Sequence, residues 1–283
     1  MRLLAAIYGF EITRPISFGT YRIEPITDSY DEARTRARDL EAYHLTATLV
    51  GDALPEDERF KLEGVLSFIE HLDVIVFPAA QLIDDAEPSA SRLPTILRRQ
   101  RRNSGGGAVI GEDTFFRQSR SDFLAFAMSK LGDDTFCKST KFNLLLFKCV
   151  ETFRQRSPFV EITYFLLFSG LESFARASLN DTTTRNASKP IYRLLKSYGL
   201  GVLLDDQSNL PRSIATYTRL RNSLFHNSEF RAIVRVGGAD IQLDASAYLF
   251  HLSMLVSLTI LKAVGFDDGH TNWDAWIDRQ LYR

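Results

Sequence analysis

The chain has 283 residues, 45% of them hydrophobic and 24% charged, with a formal charge of −1. That length holds one large domain or two ordinary ones, and the composition is that of a soluble globular protein. The near-zero charge excludes a protein that coats nucleic acid by bulk electrostatics, though it leaves room for a local basic groove. Cys137 and Cys149 are too few for a disulfide framework or a zinc site, which points to a reducing compartment.

In chain order, MRLLAAIYGFEITRP has a short apolar run that soon meets Glu11, and it reads as a first strand rather than a signal peptide. YRIEPI is a second strand across a glycine-containing turn. The stretch from Asp28, DSYDEARTRARDLEAY, opens on acids and continues in good helix formers. YHLTATLVG alternates, placing Tyr43, Leu45, Ala47 and Leu49 on one face. FKLEGVLSFIEHLDVIVF fits a helix and a strand pair equally. Residues 1–118 are therefore an α+β region whose topology periodicity does not reveal. LRRQRRNSGGG, with Arg98, Arg99, Arg101 and Arg102 before three glycines, has little to bury. It reads as a solvated loop in preference to a phosphate-contacting arm.

From residue 119 onward one helix follows another. SRSDFLAFAMSKLG and KFNLLLFKCVETFRQR come first, and then, after Pro158 in a first turn, the apolar ITYFLLFSGLESFARA. Glu172 interrupts that last run, no apolar stretch of 18 residues stands out, and so no membrane span is expected. SKPIYRLLKSYGL closes at Gly199, and LPRSIATYTRLRNSLFHNSEF starts with Pro211 near its first position. RAIVRVGGADIQLDA reads as a hairpin turning at Gly237 and Gly238. AYLFHLSMLVSLTILKAVG is a long apolar helix, capped by Asp244 or Ser246 and ended by Gly265. Long helices with short connections give an antiparallel bundle. His251, alone on its apolar helix, reads as a hydrogen-bonded core residue, and Trp273 and Trp276 pack a C-terminal turn.

RNSLFHN, residues 221–227, puts polar chemistry on a helix with a buried face. The spacing of Arg221 and His226 alone is a weak signal, but Arg221-Asn222 is one of only three Arg-Asn dipeptides in the chain. Residues four apart on a helix lie within about 40° of each other and residues five apart about 140°. Asn222 and His226 therefore share a face, while Arg221 sits on the neighbouring stripe. An arginine fork, a titratable ring and an orienting amide suit a phosphodiester: the fork binds phosphate oxygens and the ring moves protons near neutral pH. The other reading is structural. Arg221 would pair with a carboxylate of its own domain, Glu172 or Glu229, and His226 would be a satisfied core histidine.

RNSLFH, preceded by FLLFSGLESFARA, resembles the HEPN domain superfamily, whose members carry arginine, a polar residue, three variable residues and histidine on a late helix of an α-helical bundle. An earlier helix with a small–acidic–aliphatic pattern matches GLESF. The arrangement is closest to the ApeA-like HEPN branch, and the likeness covers about residues 119–265. It says little about the α+β N-terminal domain over 1–118, which is expected to act as a sensor or partner-binding module, and it implies an all-α HEPN-like antiparallel helical bundle with a C-terminal tail over 119–283. It further implies a metal-independent endoribonuclease with a toxin or anti-phage defence role and no cofactor. Its partners are RNA as substrate, a second copy in a homodimer, and a protein that inhibits or activates it. Arg221 and His226 would be the catalytic pair, Asn222 the orienting residue and Glu172 a supporting one. The alternative within the same resemblance is a non-catalytic scaffold. Some HEPN toxins carry a tyrosine two residues after the histidine. Here that position is Ser228, which puts neutralisation by adenylylation in doubt. The expected compartment is the cytoplasm.

Overall fold

The computed structural model describes residues 3–77, 80–81, 93–101, 106–155, 159–227 and 229–282. The chain is mixed α+β and divides into two compact units: residues 1–132 with 153–157, and residues 133–152 with 158–283.

The first unit is built on an antiparallel sheet. Its strands are β1 (Leu3–Tyr8), β2 (Ile16–Phe18), β3 (Tyr21–Pro25), β4 (Tyr43–Gly51), β5 (Ile75–Val76), β6 (Ala80–Gln81) and β7 (Ile96–Leu97), with α1 (Tyr30–Arg38) and α2 (Glu56–Glu70) between them. The strand order is β2-β3-β4-β1-β5, with β6 also on β1 and β7 also on β4. The alternation expected of β4 is present, since Tyr43, Leu45, Ala47 and Leu49 are all buried. Thr46 and Thr48 on the opposite face are buried as well, and Thr46 Oγ1 accepts from Phe10 N at 3.1 Å. Helix α1 begins at Ser29, whose hydroxyl accepts from Glu32 N. The stretch that fitted helix and strand equally is helix α2 followed by the short strand β5, because a two-residue strand carries no readable period.

Helix α3 (Ser119–Gly132) belongs to this first unit and packs on α2, so the compact boundary falls at residue 132 rather than at 118. Phe68 of α2 and Phe123 of α3 stack at 5.3 Å between centroids. A buried ionic network underlies them. Arg120 Nη1 meets Glu70 Oε1 at 2.6 Å, and Arg38 Nη2 holds the other oxygen of Glu70 at 3.0 Å. Burial and the neighbouring Glu70 charge raise the pKa of Glu11, against the pull of Arg120 and Arg38.

The arginine- and glycine-rich segment is not wholly solvated. Arg98 and Arg99 are exposed as expected, but Arg101 is buried. Its Nε donates to Asp73 O at 2.8 Å, its Nη2 to Gly9 O at 2.6 Å and its Nη1 to Ala37 O. One guanidinium thus satisfies three backbone carbonyls that no strand or helix serves, which composition does not reveal. Gly9 sits at φ +81°, and a Cβ there would lie 2.7 Å from Arg101 Nη2, so this approach needs glycine. Arg102 and Gly105 lie outside the described residues.

His71 closes α2 in the left-handed conformation, with φ 55°. Its Nδ1 accepts from Gly106 N at 3.2 Å and its ring meets the edge of Phe153 at 4.8 Å. Burial of the imidazole pushes its pKa from 6.5 down to about 4. The folded state therefore holds the neutral ring, and this contribution to stability is complete above pH 6.5 and lost as pH falls towards 4. Between those limits the thermal midpoint of the wild type is expected to fall more steeply with pH than that of His71→Asn, since asparagine tolerates the left-handed cap. Parallel slopes would show that the ring titrates freely.

The second unit is helical. It contains α4 (Asp134–Thr140), α5 (Phe142–Phe153, its last residue in the first unit), α6 (Val160–Ser178), α7 (Ser188–Ser197), α8 (Ile214–Asn227), α9 (Ala245–Val264) and α10 (Ala275–Asp278). The hairpin β8 (Arg231–Val236) and β9 (Ala239–Asp244) turns at Gly237 and Gly238, both at positive φ, as a two-residue primed turn requires. Pro211 lies in a separate 3-10 turn, Leu210–Arg212, ahead of α8 instead of inside it. The expected place of Pro158 falls outside the described residues. Asp244 caps α9 through Ser246 N, and Gly265 ends it at φ 81°. His251 Nδ1 bonds Trp276 O at 2.5 Å, the core role expected of it.

Helix α9 corrects one expectation. Its 20 residues are long and apolar enough to cross a membrane by length and composition: an 18-residue window within it has mean hydropathy 1.6, and 56% of that window is buried inside the structure. Serines and a threonine punctuate the run, yet Ser257 and Thr259 donate to the carbonyls of Ser253 and Leu255 one turn back. It packs chiefly on α6, as a core helix does.

Candidate functional site

Helix α8 is buried along its first half and emerges along its second. Ile214, Ala215, Tyr217 and Leu220 are buried, whereas Asn222, Phe225 and His226 are exposed. Tyr164 of α6 fixes the buried half by donating to Tyr217 O at 3.0 Å, and Tyr217 Oη donates to Pro211 O at 2.6 Å. Thr218 and Ser188 hydroxyls, 2.9 Å apart, tie α8 to the start of α7. At the emerging end, Ser223 Oγ donates to Arg231 O at 2.5 Å, anchoring the helix to β8.

On this support Arg221 reaches α6. Its Nη2 meets Glu172 Oε2 at 2.5 Å, and its Nη1 donates to Asn222 Oδ1 at 3.0 Å. The guanidinium carbon also lies 5.2 Å from the Phe168 ring centroid and 5.7 Å from that of Phe225. Cation–π contact and a charged hydrogen bond together fix the fork in one place. Glu172 is itself shared, because Arg176 Nε binds its other oxygen at 2.9 Å while Arg176 Nη1 donates to Thr184 O at 2.7 Å. Two arginines on one carboxylate leave the cluster with net positive charge. Two of Arg221's five N–H donors are occupied by Glu172 and Asn222, so the fork retains capacity for an anion.

The structure thus brings Arg221, Asn222 and Glu172 together. Asn222 spends its carbonyl on Arg221, so it orients the guanidinium and not the imidazole. His226 stands one turn beyond Asn222 on the same stripe, exposed, and makes no hydrogen bond or ion pair with the described residues. Glu229, the other carboxylate considered for Arg221, lines a different hollow beside β8. Arg176 and the two phenylalanines escaped sequence reasoning. The Glu172-to-Arg176 spacing of four was a signal for the first, while nothing local marks Phe168 as a neighbour of Arg221.

Arg221 and Asn222 form one wall of a groove of about 390 Å³ that also includes Arg185, Ser188, Asp205 and Arg219. Beside His226 in sequence, Leu224 and Phe225 line a separate apolar hollow with Glu161, Ile162 and Phe165. The Phe165 and Phe225 rings lie 5.0 Å apart. Among the described residues no group of three or more His, Cys, Asp or Glu side chains converges. Cys149 is buried, and its thiol is pushed up to about 12, which makes it an inert core residue. No protein-family model, curated protein or solved structure matches the chain.

Proposed function

We propose that the chain is a metal-independent endoribonuclease of the HEPN type, with a toxin or anti-phage defence role in the cytoplasm, and that its helical unit is a HEPN-like antiparallel bundle. The observation that carries the reading is the clamped Arg221. Its fork is held by Glu172 and Asn222 beside a groove, with the imidazole of His226, which bonds none of the described residues, one helical turn beyond Asn222. In this reading the 2′-hydroxyl of RNA attacks the adjacent phosphorus, and His226 takes its proton. Arg221 neutralises the extra charge on the phosphorane, and the 5′-oxygen leaves with a proton. The products are a 2′,3′-cyclic phosphate and a 5′-hydroxyl. One imidazole per site serves one proton transfer at a time, so a second copy facing the first across a two-fold axis supplies the other. Ile162, Phe165 and Phe225, all exposed and lining one hollow, offer that copy an apolar surface.

Incubating the purified chain with cellular RNA should yield 5′-hydroxyl ends in the presence of EDTA, from a protein that light scattering sizes as a dimer. Activity that vanishes in chelator and returns with magnesium would overturn the reading. The second reading is a non-catalytic scaffold, favoured by the closure of Arg221 on Glu172 as a structural ion pair. It predicts intact RNA under every condition.

A further inference from the structure

The groove beside Arg221 has a composition that the cleavage chemistry does not use. Three arginines, Arg185, Arg219 and Arg221, line it against a single carboxylate, Asp205. Arg185 is exposed and forms no ion pair among the described residues. Arg219 Nη2 pairs with Asp205 at 2.8 Å, while its Nη1 is shielded from solvent with no acceptor among the described residues. No aromatic ring lines the groove, so it offers charge and hydrogen bonds but no stacking platform for a base.

On the ribonuclease reading above, we propose that this groove holds a backbone phosphate of single-stranded RNA adjoining the cleaved bond, with Arg185 and Arg219 as its ligands. Because Arg221 and Asn222 form one wall, a strand lying in the groove passes directly to the fork that faces the reacting phosphate. Contact through phosphates alone grips the strand without reading its sequence. Asp205 opposes the same phosphate and competes with it for Arg219, so it sets how tightly the strand is held. Its removal should strengthen binding.

The test uses the full chain and a 2′-O-methyl RNA 12-mer, which lacks the attacking hydroxyl, with fluorescence anisotropy read across a salt series. Arg185→Ala should lower the slope of log K against log salt by about 0.7, the value for one phosphate contact with a single strand. Arg185→Glu should weaken binding by about 10-fold or more, while Asp205→Asn should tighten it, both changes shrinking at high salt. Wild-type affinity and slope in both Arg185 variants, or weaker binding by Asp205→Asn, would overturn the proposal. So would saturation of the groove by micromolar inorganic phosphate, which would assign it to a free anion. Cleavage is scored separately on unmodified RNA. Arg185-dependent binding without cleavage would sustain the groove and defeat the nuclease reading. Cleavage with unchanged binding in the Arg185 variants would do the reverse.

Discussion

On the proposed ribonuclease reading, replacing His226 with alanine should slow RNA cleavage by about 10²–10⁴-fold, the usual contribution of one general acid–base group. The substitution should leave stability within about 0.5 kcal/mol, because the side chain is exposed and bonds no described residue. Arg221→Lys keeps a positive charge at the groove but loses the fork that spans Glu172 and Asn222, and it should also cut slowly. Measuring single-turnover rates beside a thermal melt separates chemistry from folding. A folded His226→Ala protein that cleaves at the wild-type rate would remove His226 from the mechanism and favour the scaffold.

The largest effect on stability is expected far from that site, at Arg120. Its guanidinium is buried against Glu70, donates to Glu11 O through Nη1, reaches Ile110 O and Gly111 O at 3.2 Å through Nε, and lies over the Phe10 ring at 5.3 Å. Arg120→Met preserves much of the volume but leaves Glu70 and Glu11 facing each other with less counter-charge. Removing one member of a buried ionic group costs about 3–5 kcal/mol, a large share of the roughly 5–15 kcal/mol that folds a typical domain. The loss should grow with pH. With less counter-charge Glu11 holds a proton to higher pH in the folded state than in the unfolded one. The variant's folded state thus binds more protons, and its stability falls as pH rises past the ordinary carboxylate range. Urea midpoints at pH 5 and pH 8 measure both effects. A loss below about 1 kcal/mol at both would show that the network is not a net support.

The same arginine explains where sequence reasoning stopped. The helical pattern of α3 was legible, but its partners were not, because Glu70 and Glu11 lie 50 and 109 residues away in the chain. A boundary drawn where helices begin therefore fell short of Gly132, where the first compact unit gives way. Arg101 was hidden for a related reason: an arginine serving backbone carbonyls looks identical in sequence to one in water. The primed turn at Gly237-Gly238, the cap at Asp244 and the stop at Gly265 were readable because each is decided by residues next to it. The candidate site divides along the same line. Arg221, Asn222, His226 and Glu172 were named from local pattern, whereas the groove needs Arg185, Asp205 and Arg219, brought together by two loops and helix α8 with no shared period.

On the proposed ribonuclease reading, Glu172 carries a consequence for anyone wishing to capture the bound RNA. Through one oxygen it holds Arg221, and through the other it holds Arg176, which in turn ties down Thr184, next to Arg185. Disabling the protein at Glu172 would loosen both Arg221 and the stretch of chain proposed to grip the strand, so the bait would release its catch. Silencing it at His226 leaves that whole bracket standing. A His226→Ala chain is the form to crosslink in living cells when the goal is to learn which transcripts it holds.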